Sequence, residues 1–466
     1  MSDSLKRKLG IWTATFAVFA SMIGSGIFGN TGEVQAKVGD PLMVMFLWFF
    51  YGLVAIAGAL TYSELAARMP EAGGEYVYLK KTFGPLWGFL SGWVSLIAGF
   101  SAPAAIAAFL SAGYLSSLLQ SLAPESAITL FFVSWKFSLT MFQWELAITA
   151  KQIYAIFLIV IFSVFHGVGV KKGGWIQNAL TVMKLGIVVL FLVGGLIAAF
   201  TADGPVHDPF HSDGIQWGGV GVGLLWVLFA YSGWNGASYL AGEIENPEKN
   251  VPRAMMWGTL LTAILYVLIN LMYYLAAPAS EFSGQLTVAS IISTKLFGTG
   301  IAVFFNVCFC LILLSTLSAQ VMIGPRVYYA MAKDGLFFRF ASKVHPKFET
   351  PLYSILVQGA LSIAYILTGS YYDVMTYMGF SLSIFPFLTV IGLWQLRKNA
   401  PDAPYKVPFF PITPLFFLVV TVLIMIASAW DEWLNALIAL GAIGVGALIY
   451  LVWDALHKKS PGSHRS

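Results

Sequence analysis

Two short clusters of glycine and serine are the residues of this sequence best suited to bind a small polar molecule. The first lies within ASMIGSGIFG (20–29), and the second is SGWNG (232–236). Both interrupt apolar stretches that could otherwise form long helices. Glycine weakens a helix, and an interrupted helix leaves backbone N–H and C=O groups without helical partners. Such groups bind ions and polar ligands without the help of a charged side chain.

Residue groupings typical of enzymes are absent from the sequence. It contains no Ser/His/Asp constellation and no Gly-Lys-Ser/Thr phosphate-binding loop. The two histidines of HDPFHSD (207–213) lack the neighbours that a metal site needs. We therefore expect no enzymatic activity, no cofactor and no metal. If the chain moves a solute, it does so as a secondary transporter, because the sequence carries no ATPase domain.

The composition determines which elements must position these residues. The chain is 58% hydrophobic and only 10% charged, whereas soluble proteins average about 25% charged residues. Many apolar runs exceed the roughly 18 residues that mark a transmembrane helix. The sequence thus predicts an all-α polytopic membrane protein, 1–466, with a single transmembrane domain. The twelve predicted spans are 11–37, 41–68, 84–118, 149–169, 175–200, 217–241, 252–277, 299–332, 353–370, 373–396, 412–430 and 433–455.

The distribution of basic residues predicts the orientation. Most of the 26 Lys and Arg residues fall in loops on the side of the N-terminus, so both termini are expected in the cytoplasm of a multi-pass membrane protein. The small positive net charge reflects this bias and indicates no nucleic-acid partner. Two further segments, 70–83 and 285–298, are predicted to form short helices outside the membrane.

The two interruptions lie in spans 1 and 6, which are five spans apart. An odd offset places equivalent helices in opposite orientations, so residues 11–200 and 217–396 are predicted to be inverted repeats. Residues 412–455 would then form two appended helices.

The direction of each broken helix indicates the ligand. The first half of span 1 ends in carbonyl groups near Met22, and its second half begins with N–H groups at Ser25 and Gly26. Span 6 runs the opposite way, and its first half ends in carbonyl groups at Phe229 and Ser232. Helix N-termini attract anions and C-termini attract cations, so a zwitterionic α-amino acid fits both ends.

Several motifs then identify a family. The segments are IGSGIF (23–28), FAYSGWN (229–235), NPEKNVPRAM (246–255), RMPEAGGEYVYL (68–79) and PRVYYAMAKDGLF (325–337). Together they resemble the amino acid–polyamine–organocation superfamily, and are most similar to bacterial L-type amino acid transporters. The resemblance implies a leucine-transporter-like 5+5 inverted repeat, with helices 1 and 6 broken, that works by alternating access in the bacterial inner membrane.

The resemblance also implies roles for particular residues. The amides of Ser25 and Gly26 would hold the substrate carboxylate, and the Phe229 ring would cover the substrate. Carbonyl groups of Met22, Phe229 and Ser232 would hold the amine, while Asn235 would steady the broken segment. The implied substrate-binding set is Met22, Ile23, Gly24, Ser25, Gly26, Phe229, Ser232 and Asn235.

Lys184 lies about 14 Å from the nearer end of span 5, at 1.5 Å per residue. A charge at that depth costs at least about 2.5–3.5 kcal/mol, so it should face the protein interior and have partners. By resemblance it replaces a bridging sodium ion and reaches a span 1 carbonyl near Gly24 and the hydroxyl of Ser315 or Ser318. Two roles stay open: a permanent cation, giving sodium-independent exchange, or a group that takes up and releases a proton, giving proton-coupled uptake.

The expected substrate is a small or medium neutral L-amino acid. Ser232 and Asn235 are uncharged, and no other Asp or Glu is predicted near mid-depth in spans 1, 3, 6, 8 or 10. The alternatives are a proton-coupled symporter, a cationic or polyamine permease of the same superfamily and, more remotely, a membrane sensor that does not transport. The segment 119–148 lacks the cysteine by which animal relatives bond a heavy chain, so a monomer or weak dimer without a heavy-chain partner is expected.

Overall fold

The chain is helical almost throughout in a computed structural model, which describes residues 7, 9–71, 73–141, 144–168, 170–201, 214–348, 350–368 and 371–458. The helices are α1 (Ile11–Met22), α2 (Ser25–Val38), α3 (Pro41–Arg68), α4 (Glu75–Phe83), α5 (Pro85–Val94), α6 (Ala102–Leu122), α7 (Ala127–Ser134), α8 (Ala150–Gly167), α9 (Val170–Thr201), α10 (Trp217–Tyr231), α11 (Gly236–Tyr239), α12 (Pro247–Ala276), α13 (Val288–Ile323), α14 (Pro325–Lys333), α15 (Leu352–Thr368), α16 (Tyr371–Asn399), α17 (Ile412–Asp431) and α18 (Trp433–Lys458). A π-helical segment, Ser95–Ser101, joins α5 to α6. One antiparallel hairpin, β1 (Lys136–Met141) with β2 (Trp144–Thr149), follows α7.

The helices confirm a multi-pass membrane protein. Within the described part of the chain, nine helical segments are long and apolar enough to cross a bilayer. Spans 6 and 9 contain only shorter apolar helices, Trp217–Tyr231 and Leu352–Thr368. The count of twelve spans therefore stays a prediction. The histidine-containing segment 207–213 lies outside the described residues.

Both predicted interruptions are present. The first break lies between Met22, where α1 ends, and Ser25, where α2 begins. The second break comprises residues 232–235, between α10 and α11. After the second break the chain forms a single helical turn, α11, so the last part of span 6 is much less helical than the sequence predicts. Gly233 has a φ of 101°, which a residue with a side chain rarely adopts.

Close backbone packing explains why small residues occupy the breaks. A Cβ atom on Gly24 would lie 2.6 Å from the side chain of Thr316 in α13, and one on Gly26 would lie 2.4 Å from the Cα atom of Ala230 in α10. On Gly233 it would lie 2.8 Å from the Cβ atom of Ser21 in α1. The two broken helices therefore touch each other directly and also contact α13.

An aromatic cluster fixes the start of the second break. Trp48 of α3, Tyr231 at the end of α10 and Tyr266 of α12 are fully buried, with ring centroids 4.9–6.0 Å apart. The Tyr231 hydroxyl donates a hydrogen bond of 2.9 Å to the Trp48 carbonyl. These contacts hold the last turn of α10 against α3 and α12. The helix ends at Tyr231, and the second break begins at the next residue.

The two short helices predicted outside the spans are also found. Helix α4 accounts for most of segment 70–83, and the first turns of α13 account for 285–298, ending at a kink where Gly298 has φ 75° and ψ 169°. Helix α4 is tied to the end of α14, because Lys80 and Tyr76 both bind the carboxylate of Asp334, the lysine at 2.6 Å.

Candidate substrate site

Lys184 of α9 binds the carbonyl groups at the C-terminal end of α1. Its ammonium group donates hydrogen bonds to the carbonyl oxygens of Ala20 (3.1 Å) and Ile23 (2.7 Å) and to the hydroxyl of Thr316 (3.0 Å). The side chain is 0% exposed. Three donors thus meet three acceptors at a helix C-terminus, where the backbone favours a cation. The ammonium group joins α1, α9 and α13 at one point.

The hydroxyl partner of Lys184 differs from the predicted one. The sequence pointed to Ser315 or Ser318, whereas Thr316 makes the contact. The Ser315 hydroxyl has no hydrogen-bond partner, and that of Ser318 lies 2.8 Å from Nε2 of His166. At about 100° per residue, Ser315 and Ser318 lie on nearly the same face of α13, and Thr316 points away from that face and toward Lys184.

Two of the carbonyl groups expected to bind an amine already accept hydrogen bonds within the protein. The Met22 carbonyl accepts one of 2.6 Å from the Tyr266 hydroxyl, which also lies 3.0 Å from the Ala230 carbonyl. The Phe229 carbonyl accepts one from the Ser232 amide at 2.9 Å. A carbonyl oxygen has two lone pairs, so each can accept a second donor. The hydrogen bonds to the Met22 and Phe229 carbonyls therefore stabilise the breaks themselves.

The residues expected to bind a carboxylate begin α2. Ser25 and Gly26 occupy its first two positions, where backbone N–H groups have no partner inside the helix. Both are buried, and Gly26 packs on Ala230. Phe229 is also buried, one residue before that contact. The structure thus brings the predicted carboxylate and lid residues together at the crossing of the two broken helices.

A cavity of about 100 Å³ lies beside this crossing. Of the predicted substrate-binding set, Ser232 and Asn235 line it, while residues 22–26 and Phe229 are not among its lining residues. Hydroxyl groups from four elements contribute to the wall. They belong to Ser21 of α1, Ser91 of α5, Ser95 of the π-helical segment, and Ser381 and Ser383 of α16.

The second break has an acidic neighbour that sequence reasoning missed. Glu75, the first residue of α4, lines the cavity and accepts a hydrogen bond of 2.8 Å from the Asn235 amide. Glu75 lies in segment 70–83, which the sequence predicts as a short helix outside the membrane, and not in one of the spans that were predicted to lack acidic side chains at mid-depth. Its contact with the second break was therefore not foreseen.

Two glycines allow Glu75 to come close to the second break. This pair is the one sequence signal that could have revealed the contact. Gly73 and Gly74 have φ angles of 122° and 53°, and a Cβ atom on Gly74 would lie 2.7 Å from the Tyr239 ring. Burial raises the pKa of Glu75 to about 7, although the Tyr62 hydroxyl and the Asn235 amide oppose the rise. This carboxyl group therefore titrates near neutral pH.

Two interrupted helices that cross beside a cavity, inside a bundle of membrane-spanning helices, are typical of a secondary transporter. The comparison with known families gives the particular kind. The model described as "Amino acid permease" matches residues 9–447, and the chain belongs to this family. It is an amino-acid transporter and not an enzyme.

Individual relatives cover nearly the whole chain. The serine/threonine exchanger SteT of Bacillus subtilis (strain 168) is 32% identical over 419 residues, 89% of each chain. The human large neutral amino acids transporter small subunit 2 is 26% identical over 453 residues, 96% of this chain and 81% of the relative. The mouse b(0,+)-type amino acid transporter 1 is 26% identical over 437 residues, 92% of this chain and 84% of the relative.

Proposed function

We propose that this protein exchanges small or medium neutral L-amino acids across the bacterial inner membrane without sodium. The observation that carries the proposal is the position of the Lys184 ammonium group between two α1 carbonyls and the Thr316 hydroxyl. Oxygen ligands of this kind would also suit a small metal cation. A lysine supplies the positive charge permanently, so the site needs no ion from solution.

The wall of the cavity supports a neutral substrate. Among the described residues that line it, Glu75 is the one charged side chain, and the serine hydroxyls supply neutral donors and acceptors. The ammonium group of an α-amino acid would balance Glu75. The side chain of lysine or arginine would add a second buried cation without a counter-ion, which costs several kcal/mol. The names of two relatives, a serine/threonine exchanger and a large neutral amino acids transporter, agree with this class.

The arrangement in the membrane is part of the proposal. Residues 11–200 and 217–396 would form the inverted repeats of a twelve-span transporter, with 412–455 appended and both termini in the cytoplasm. The chain would act as a monomer or weak dimer without a heavy chain. Its two cysteines, Cys308 and Cys310, both lie within α13, far from a loop that could bond a partner.

Uptake into proteoliposomes tests the proposal directly. Vesicles containing the purified protein are loaded with unlabelled L-serine or left without amino acid, and labelled L-serine is added outside. We expect rapid uptake only in loaded vesicles, and competition by alanine, threonine and leucine but not by lysine or arginine. Uptake into unloaded vesicles under an imposed pH gradient would favour the proton-coupled symporter. Equal competition by arginine would favour the cationic permease.

A further inference from the structure

Glu75 is a buried carboxyl group whose polar contact is an amide, not a cation. Its side chain is 6% exposed, and Asn235, its hydrogen-bond donor, belongs to the second break. In the described part of the chain no Lys or Arg side chain forms an ion pair with it. A buried carboxylate without a cation is costly, because desolvation is not repaid by a nearby opposite charge.

The other titratable groups around Glu75 do not supply that charge. Tyr62 of α3, Tyr78 of α4 and Tyr239 of α11 face it. Phenol groups have an ordinary pKa of about 10, so all three tyrosines are neutral near pH 7. The cavity therefore carries one negative charge whenever Glu75 is ionised, and a cation entering the cavity would stabilise that ionised form.

We propose that Glu75 is a positioning residue of the substrate site, which holds Asn235 in the second break and supplies the negative charge that attracts the ammonium group of the bound amino acid. The proposal rests on the proposed function, since it requires an amino acid in this cavity. In this arrangement the ammonium group of the substrate lies toward α4.

Binding of substrate and release of a proton then become linked. In the substrate-free site the pKa of Glu75 is about 7, and a bound ammonium group lowers it. Below the lower of the two pKa values Glu75 is protonated in both states, and affinity does not change with pH. Between them binding releases a proton, so affinity rises with pH, and above about pH 7 it levels off. A lowering by one pKa unit corresponds to a tenfold gain in affinity.

The experiment measures binding of labelled L-serine to the purified full-length protein between pH 5 and 8. For the wild type we expect the Kd to fall about tenfold as the pH rises. In Glu75→Gln the side-chain carbonyl still accepts the Asn235 hydrogen bond, but the charge is lost. We expect that variant to bind more weakly than wild type at pH 8 and to show no dependence on pH.

Two further variants separate the charge from other effects. Glu71→Gln changes an exposed glutamate of the same segment, which pairs with Lys81, and should keep the wild-type profile. Glu75→Asp retains the charge and should keep a pH dependence. Calorimetry of the wild type in buffers of different ionisation enthalpy should show proton release on binding L-serine near pH 6.5.

Three results would overturn the inference. They are a wild-type Kd that is constant between pH 5 and 8, a Glu75→Gln variant with wild-type affinity and profile, and no proton release in the calorimeter. If Glu75→Gln fails to fold, the calorimetry of the wild type and the pH dependence of binding by Glu75→Asp still test the inference. Failure of the wild type to bind or exchange any neutral amino acid would instead refute the proposed function, and the inference with it.

Discussion

The first and second breaks occupy corresponding places in the chain but are stabilised in opposite ways. At the first break the protein supplies its own cation, because Lys184 binds the carbonyls of Ala20 and Ile23. At the second break the last turn of α10 carries no basic residue, and the polar neighbour is the carboxyl group of Glu75. Residues of the second break also line the cavity, whereas residues 22–26 of the first break do not.

This difference gives the two interruptions different roles in the proposed site. A helix C-terminus favours a positive charge, and α1 and α10 both end at a break. In the proposed exchanger, the ammonium group of Lys184 supplies this charge to α1 throughout the cycle and stabilises the first break. At α10 the charge would come and go with the substrate, which makes the second break the part of the site that responds to binding.

The largest expected effect comes from removing the attached cation. Lys184→Ala would leave two carbonyls and one hydroxyl without their buried donor, at a cost of about 3 kcal/mol, and we expect exchange to fall on the order of a hundredfold. Exchange is measured per molecule of monodisperse protein in proteoliposomes. Lys295→Ala, which removes an exposed lysine paired with Glu281, is the matched control and should be unaffected. Unchanged exchange in Lys184→Ala would show that the first break does not depend on the Lys184 ammonium group.

A second prediction concerns the contact between the breaks. In Gly26→Ala the new methyl group would overlap the backbone of Ala230, and overpacking costs about 1–3 kcal/mol. We expect roughly tenfold weaker binding of L-serine, because the start of α2 is pushed away from α10. Gly300→Ala is the control, since a Cβ atom there meets nothing within 4 Å. Wild-type affinity in Gly26→Ala would argue against a substrate at the crossing.

A third prediction compares two neighbouring side chains on α13 and tests which hydroxyl group the first break requires. Thr316→Val keeps the shape of the residue but removes the hydroxyl that Lys184 contacts, a loss of about 1 kcal/mol. We expect exchange to fall about fivefold. Ser315→Ala removes a hydroxyl that has no hydrogen-bond partner and should leave exchange unchanged. If the two variants reverse this order, the hydroxyl partner of Lys184 in the working protein is Ser315.

The smallest expected effect is none at all. Replacement of sodium by choline on both sides of the vesicle should leave the exchange of L-serine unchanged, because Lys184 provides the charge that an ion would otherwise supply. Potassium serves as a second replacement, to separate a specific sodium effect from one of ionic strength. A collapse of uptake in choline would place a sodium ion in the cycle and make the first break, too, responsive to a diffusible ligand.

Features that depend on local sequence were predicted well. The helix ends at Met22 and Tyr231 follow from glycine and serine in apolar stretches, and the burial of Lys184 follows from the cost of a charge in the membrane. The family could be predicted because its motifs surround these breaks.

Features that depend on how distant segments meet were not predicted. Periodicity along α13 cannot tell which of Ser315, Thr316 and Ser318 faces α9, because the rotation of a helix is set by its packing. Glu75 lies 160 residues from Asn235 in the chain, and nothing in the sequence of α4 indicates that its first residue reaches the second break. The hairpin of β1 and β2 was not predicted either.

The covalent attachment of the Lys184 cation has an energetic consequence for the cell. An ion that binds and leaves crosses the membrane once per cycle and performs electrochemical work on the cargo. A lysine side chain returns with the protein and performs none. In the proposed exchange, the protein raises the internal level of one amino acid only by releasing another, so the composition of the internal pool changes while its total size does not.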